Sequence, residues 1–173
     1  MKEKPLHQQW LERSRSNLER ARVDSFSRNI HILYEDMCFD CQQSVEKALK
    51  GLMVFKNIEF EWTHDIGTLI KTLEDNTIEV PDKIKKSASL SVYAVRTRYP
   101  GKEDPVTKEE FQEALSLADT VFEWVKDKLE AAEPSELLDE TETDKMIKRA
   151  GEETQKMEEK NQSTKKGKVT GKK

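Results

Sequence analysis

Arg96 and Arg98 stand just ahead of Tyr99, Pro100 and Gly101, where a helical pattern has to stop. Projected at helical spacing with Ile84, Ala88, Ser91, Val92 and Val95, Arg98 and Tyr99 fall close to the apolar side, and Arg96 flanks it. An arginine so near a core must find an acidic partner or face a cleft, because its guanidinium stays charged. Arg98 is either structural, as a helix-end cation favoured by the dipole or one paired to a carboxylate such as Glu46, or a head group offered to a ligand. His64 belongs to Thr63-His64-Asp65, which opens another helix. It is either a base poised for catalysis or a structural residue at a helix start.

Two further patterns have chemical precedents. Cys38 and Cys41 form a CxxC, but redox pairs of that kind sit at a helix N-terminus after a strand. Here both fall inside a helix, on its apolar stripe, and there is no second pair to complete a zinc site. They read as core residues. Glu61 and His64 match the ExxH of di-iron bundles, which need two such pairs and two further carboxylates. This single copy straddles a loop and a helix start, so it is set aside. No metal and no cofactor is expected.

The element that must position these groups runs from Tyr34 to Phe55. Tyr34, Cys38, Cys41, Val45, Ala48, Leu49 and Leu52 recur at three- and four-residue spacing, which predicts a helix with one buried stripe. A second line, Phe39, Gln43, Glu46, Lys50 and Met53, lies on the other side, beginning and ending in hydrophobes. It is either a solvated face with two stray apolar residues or a second contact surface, for another subunit or a ligand.

Around it, Pro5 to Val23 reads as a first helix, followed by a break over Asp24 to Asn29. Its apolar side is Trp10, Leu11, Leu18 and Ala21, and Arg13, Arg15, Arg20 and Arg22 occupy the rest. A third helix opens at Thr63, read as its cap, and buries Ile66, Leu69, Ile70 and Leu73. A fourth runs from Pro81 to Tyr99. Thr107 and Glu110 form a capping box for a fifth, with Phe111, Ala114, Leu115, Ala118, Val121, Phe122, Val125 and Leu129 in register. No strand alternation, Gly-rich phosphate loop or repeat is present. The fold class is all-α, an up-and-down bundle of four to five helices.

Composition sets the outer limits. At 173 residues, with 37% charged, the chain is too polar to pack throughout, so a domain over 1–133 and a charged tail over 134–173 are expected. A short helix over 137–147 is consistent with Leu137 and Ile147, and disorder is expected beyond Gly151. The net charge of −4 argues against a duplex-DNA binder that works by broad charge neutralisation. The N-terminus lacks an apolar signal core and no run could span a bilayer, which reads as cytoplasmic with no membrane partner.

Phe39-Asp40-Cys41-Gln42-Gln43-Ser44-Val45-Glu46-Lys47-Ala48-Leu49-Lys50 resembles the F-x-x-QQ-x-x-EK-x-LK helix of HEPN domains. Thr63-His64-Asp65-Ile66 resembles their T-H-D-L helix start, and residues 90–101, LSVYAVRTRYPG, their L…Y…R-Y-P helix end. The resemblance spans about Leu6 to Glu130 and implies a usually dimeric bundle, often paired with a minimal nucleotidyltransferase. Some members are ribonucleases carrying Arg followed four to six residues later by His; others bind nucleotides. Here no histidine follows Arg96 or Arg98 anywhere downstream, which argues against that ribonuclease activity. The expectation is a non-catalytic homodimer binding a nucleotide, an RNA phosphate or a nucleotidyltransferase partner. Its ligand set would be Arg96, Arg98, Tyr99, Lys47, Lys50 and His64, and its dimer interface Phe39, Gln43, Glu46 and Met53. A degenerate, toxin-like ribonuclease using Arg98 and His64, or a purely structural module, are the alternatives.

Overall fold

The computed structural model describes residues 4–22, 33–96 and 104–131. Arg98, Tyr99, the break at 24–29 and the tail expectations for 134–173 lie outside them. The chain divides into units Met1–Leu137 and Leu138–Lys173, and every described residue belongs to the first.

Five helical rods make up the described part, with no strand among the described residues: α1 (Leu6–Arg22), α2 (Tyr34–Phe55), α3 (Ile66–Asp75), a composite rod, and α6 (Lys108–Glu130). The composite rod runs without interruption through α4 (Asp82–Lys85), a 3-10 segment (Lys86–Val92) and α5 (Tyr93–Arg96). The expected all-α bundle is the observed fold.

α2 is the hub, since α1, α3, α5 and α6 all pack on it. Its predicted stripe is buried from Cys38 to Leu52. A helix surrounded this way has little solvated face left, and the second line is drawn inward too. Met53 has no exposed surface and Glu46 is buried, while Phe39 and Gln43 remain half-buried. The reading of Phe39–Met53 as one outward surface is therefore corrected: its C-terminal half belongs to the chain's own interior.

α1 crosses α2 closely. Ser14 Oγ donates to Ser44 O at 2.8 Å and lies 3.0 Å from Ser44 Oγ. Further along α2, a Cβ on Gly51 would stand 3.2 Å from Trp10 Cβ and 3.4 Å from His7 O. Glycine in the last turns of a helix costs about 1 kcal/mol against alanine; here it lets two backbones approach.

Two local expectations are corrected. The cap of α3 is Asp65, whose carboxylate accepts from Gly67 N at 2.8 Å, and Thr63 instead accepts from Asp65 N through its hydroxyl at 3.0 Å. The fourth helix does not keep an α-helical stripe. Ile84, Ser87, Leu90 and Tyr93 are buried at steps of three, and Ala94 is buried next to Tyr93, whereas Val92 and Val95 are 47% and 63% exposed. That spacing of three is the period of the 3-10 segment, whose side chains at i and i+3 eclipse. Val92 and Val95 thus leave the core, and a projection at 3.6 residues per turn loses phase before it reaches Arg98. α6 follows expectation, with the Thr107–Glu110 capping box intact and Phe111, Ala114, Ala118, Val121, Phe122 and Val125 buried.

Candidate functional site

Side chains from the second line of α2 meet the start of α3. Glu46 and Lys50 are one turn apart, with side chains only 6% and 2% exposed, and Lys50 Nζ lies 2.8 Å from Glu46 Oε1. Taking two charges out of water costs several kcal/mol per ion unless the remaining donors and acceptors are matched. They are matched. Lys50 also donates to Thr63 O at 2.9 Å, and its ammonium stands 5.2 Å from the Trp62 ring centroid and 5.8 Å from that of Phe60. Gln42 Nε2 donates to Glu46 Oε2 at 2.9 Å and to His64 O at 3.2 Å. Gln43 Nε2 donates to Gln42 Oε1 at 2.8 Å, which fixes the second amide behind the first.

His64 completes the set. Its Nδ1 is 3.1 Å from Glu46 Oε2, while its side chain is 60% exposed. Burial pushes the Glu46 carboxyl up, yet the Lys50 charge and the hydrogen bonds from Lys50, Gln42 and His64 outweigh it and hold it below its usual range. An ionised carboxylate only accepts, so Nδ1 is the donor, and Nε2 is left for a solute. The arrangement is a surface imidazole whose tautomer and direction are set by a buried carboxylate.

The composite rod is tied to the same end of α3. Ser91 Oγ accepts from Ile66 N at 2.9 Å and donates to Asp65 Oδ1 at 3.3 Å. From Ser91 the rod continues to Arg96, roughly 8 Å of helical rise, and α5 lies against α2. The rod that carries Arg96 is thus tied at Ser91 to the start of α3. Of the expected ligand residues, Lys50 and His64 come together, but Lys50 is sealed by Glu46, Thr63 and the two rings. Lys47 does not join them; it faces α1, where its Nζ donates to Asn17 Oδ1 at 2.6 Å.

Neither Cys38 nor Cys41 is in a disulfide and both are fully buried, and burial first, then the nearby charges of Cys38, Asp119 and Asp40, push the Cys41 thiol far up. A thiol so placed is a core residue and not a nucleophile. Sequence reasoning placed Glu46 and Lys50 on a line that was either solvated or a contact surface, and missed that they underlie His64. Gln42 was not singled out, although an amide one turn before a glutamate on a helix is the available signal.

The chain is similar to TT1696 from Thermus thermophilus, with 32% identity and a TM-score of 0.61 over 72% of this chain and 99% of that one. It is similar to ST0689, an archaeal HEPN homologue, at 29% identity and a TM-score of 0.57, over 74% of this chain and 98% of the other. A HEPN domain protein from Thermotoga maritima, 19% identical with a TM-score of 0.54 over 72% and 99%, shares the fold. Among curated proteins, none matches. The HEPN domain model matches residues 7–128, which takes in nearly the whole of the described bundle, and the chain belongs to the HEPN domain family.

Proposed function

We propose that this HEPN domain is a non-catalytic module that binds the phosphate of a nucleotide or an RNA at the end of the bundle where α3 begins. The observation that carries the reading is the exposed His64 imidazole, held by the buried, ionised Glu46. With Nδ1–H turned to Glu46, a proton held at Nε2 points outward and would donate to a phosphate oxygen. Arg96 is the last described residue of the rod that Ser91 ties to the same place, Arg98 comes two residues later in sequence, and guanidinium forks suit phosphate oxygens. Tyr99 is the residue for stacking on a base. Lys50 acts from within, as the counter-charge that keeps Glu46 ionised. A homodimer, and a nucleotidyltransferase as protein partner, are carried by the family resemblance.

Calorimetric titration of the full chain with nucleoside triphosphates and a short oligoribonucleotide tests this. His64→Ala and Arg98→Gln should each weaken binding about ten- to a hundredfold, the worth of lost charge-assisted hydrogen bonds. Wild-type protein that binds neither probe, or variants that bind as the wild type does, would end the reading.

One observation favours the ribonuclease alternative: a carboxylate-held imidazole with a free Nε2 is also the geometry of a general base. Cleavage of the oligoribonucleotide that persists through purification and disappears in His64→Ala would establish it; intact RNA in both would dismiss it.

A further inference from the structure

The α1–α2 seam carries a second group of charges, away from the His64 cluster. On α1, Arg13, Asn17 and Arg20 succeed one another at steps of four and three, so they share a face; on α2, Asp40 and Lys47 are two turns apart and face them. Asn17 is the joint. Its Nδ2 donates to Asp40 Oδ1, and its Oδ1 accepts from Lys47 Nζ at 2.6 Å. Arg20 closes on the same carboxylate, with Nε 3.1 Å from Asp40 Oδ2 and a second bond from its Nη2 to Oδ1.

The charges do not balance. Asp40 is fully engaged by Arg20 and Asn17, and Glu46 points to Lys50 and His64. Lys47 is left half-buried with a neutral amide oxygen as its partner, and exposed Arg13 has no acidic partner among the described residues. Burial lowers the pKa of Lys47; the Glu46 charge and, less, that of Asp40 pull it up, and the Arg20 and Arg13 charges push it down. After Asn17, two of the three ammonium hydrogens remain to donate, and Arg13 offers a planar fork.

We propose that Arg13 and Lys47, flanked by Arg20, form a binding site for a phosphate dianion on the α1–α2 face, separate from the His64 site. A dianion cancels both uncompensated cations at once; a carboxylate or a phosphodiester, with a single charge, leaves one standing. The chemistry is that of a phosphomonoester, supplied either as free phosphate or as the 5′-phosphate end of a nucleic acid strand.

The test is a nitrogen-15 NMR titration of the full chain with three probes: inorganic phosphate, a 5′-phosphorylated oligouridylate, and the same oligouridylate with a 5′-hydroxyl. Saturable shifts at Arg13 and Lys47 in the millimolar range or below, weakened about tenfold by Arg13→Gln, are expected. Because Arg13 is exposed and has no acidic partner among the described residues, that variant should melt as the wild type does, and Arg98→Gln should leave these shifts unchanged. Tighter binding of the 5′-phosphorylated strand than of inorganic phosphate assigns the source as a strand end; equal binding assigns free phosphate. The site is overturned if no probe moves these resonances or if Arg13→Gln binds as well as wild type. Equal binding of the 5′-hydroxyl strand would overturn the dianion assignment.

Discussion

Lys50 and Glu46 face each other across one turn of α2 at 2.8 Å, with almost no water in reach of either. The pair is the floor on which His64 rests, and its energetics are asymmetric. Removing one member strands the other in the interior, at a cost of about 3–5 kcal/mol, whereas replacing both by apolar residues of similar volume is far cheaper. Glu46→Leu and Lys50→Met should each lower stability by about 3–5 kcal/mol in urea melts, and the double variant should lose much less than their sum. Additive losses in the double variant would show that the pair is not coupled.

Acid should act on the fold in two windows. His7 packs edge-on against Phe55 at 5.0 Å, and burial lowers its pKa from the ordinary 6.5. The unfolded chain therefore takes up a proton first, and stability falls as the pH drops from above 6.5 towards the folded value. The lowered Glu46 pKa works lower down: its contribution is complete above the ordinary 4.5 and is lost as the pH falls through its folded value. His7→Phe, which keeps a ring against Phe55, should flatten the first decline and leave the second. Urea midpoints measured across the pH range for both proteins decide this; parallel curves above about pH 5 would refute the assignment.

Gly51 should tolerate little more than a methyl group. Alanine gains about 1 kcal/mol of helix propensity against a contact of 3.2 Å to Trp10 Cβ, so its net effect should be small. Leucine has to push α1 off α2 and should cost about 1–3 kcal/mol or more. Thermal melting of the two variants checks the order, and a Gly51→Leu protein as stable as wild type would mean that the crossing can open freely.

Phe39 and Gln43 are the residues of the second line on which a subunit contact still rests, since Met53 and Glu46 lie inside. If the protein is a dimer through this part of α2, Phe39→Glu should make it monomeric by placing a charge in a desolvated contact. Light scattering at micromolar concentration gives the answer. A dimer unaffected by Phe39→Glu would move the contact elsewhere, for example to the exposed Val92 and Val95.

By itself the sequence determined the helices of this protein and the inward side of most of them. The Cys38–Leu52 stripe and the Phe111–Val125 register are carried by local spacing, and the Thr107–Glu110 box by residue types three apart; neither needs knowledge of the rest of the chain. The family was legible for the same reason, because its motifs lie within single helices or at their ends. Only the tertiary structure decided what surrounds α2. Four other elements enclose it, so a line that reads as a solvated face or a second contact surface becomes interior in its C-terminal half, and Glu46–Lys50 becomes a buried support for His64. It also parted Lys47 from Lys50, which are neighbours in sequence but are turned towards different elements, α1 and the loop before α3. The composite rod fell between the two kinds of information. Its apolar residues are plain in the sequence, but the change from 3.6 to 3 residues per turn depends on packing against α3 and α2, and that change turns Val92 and Val95 outward.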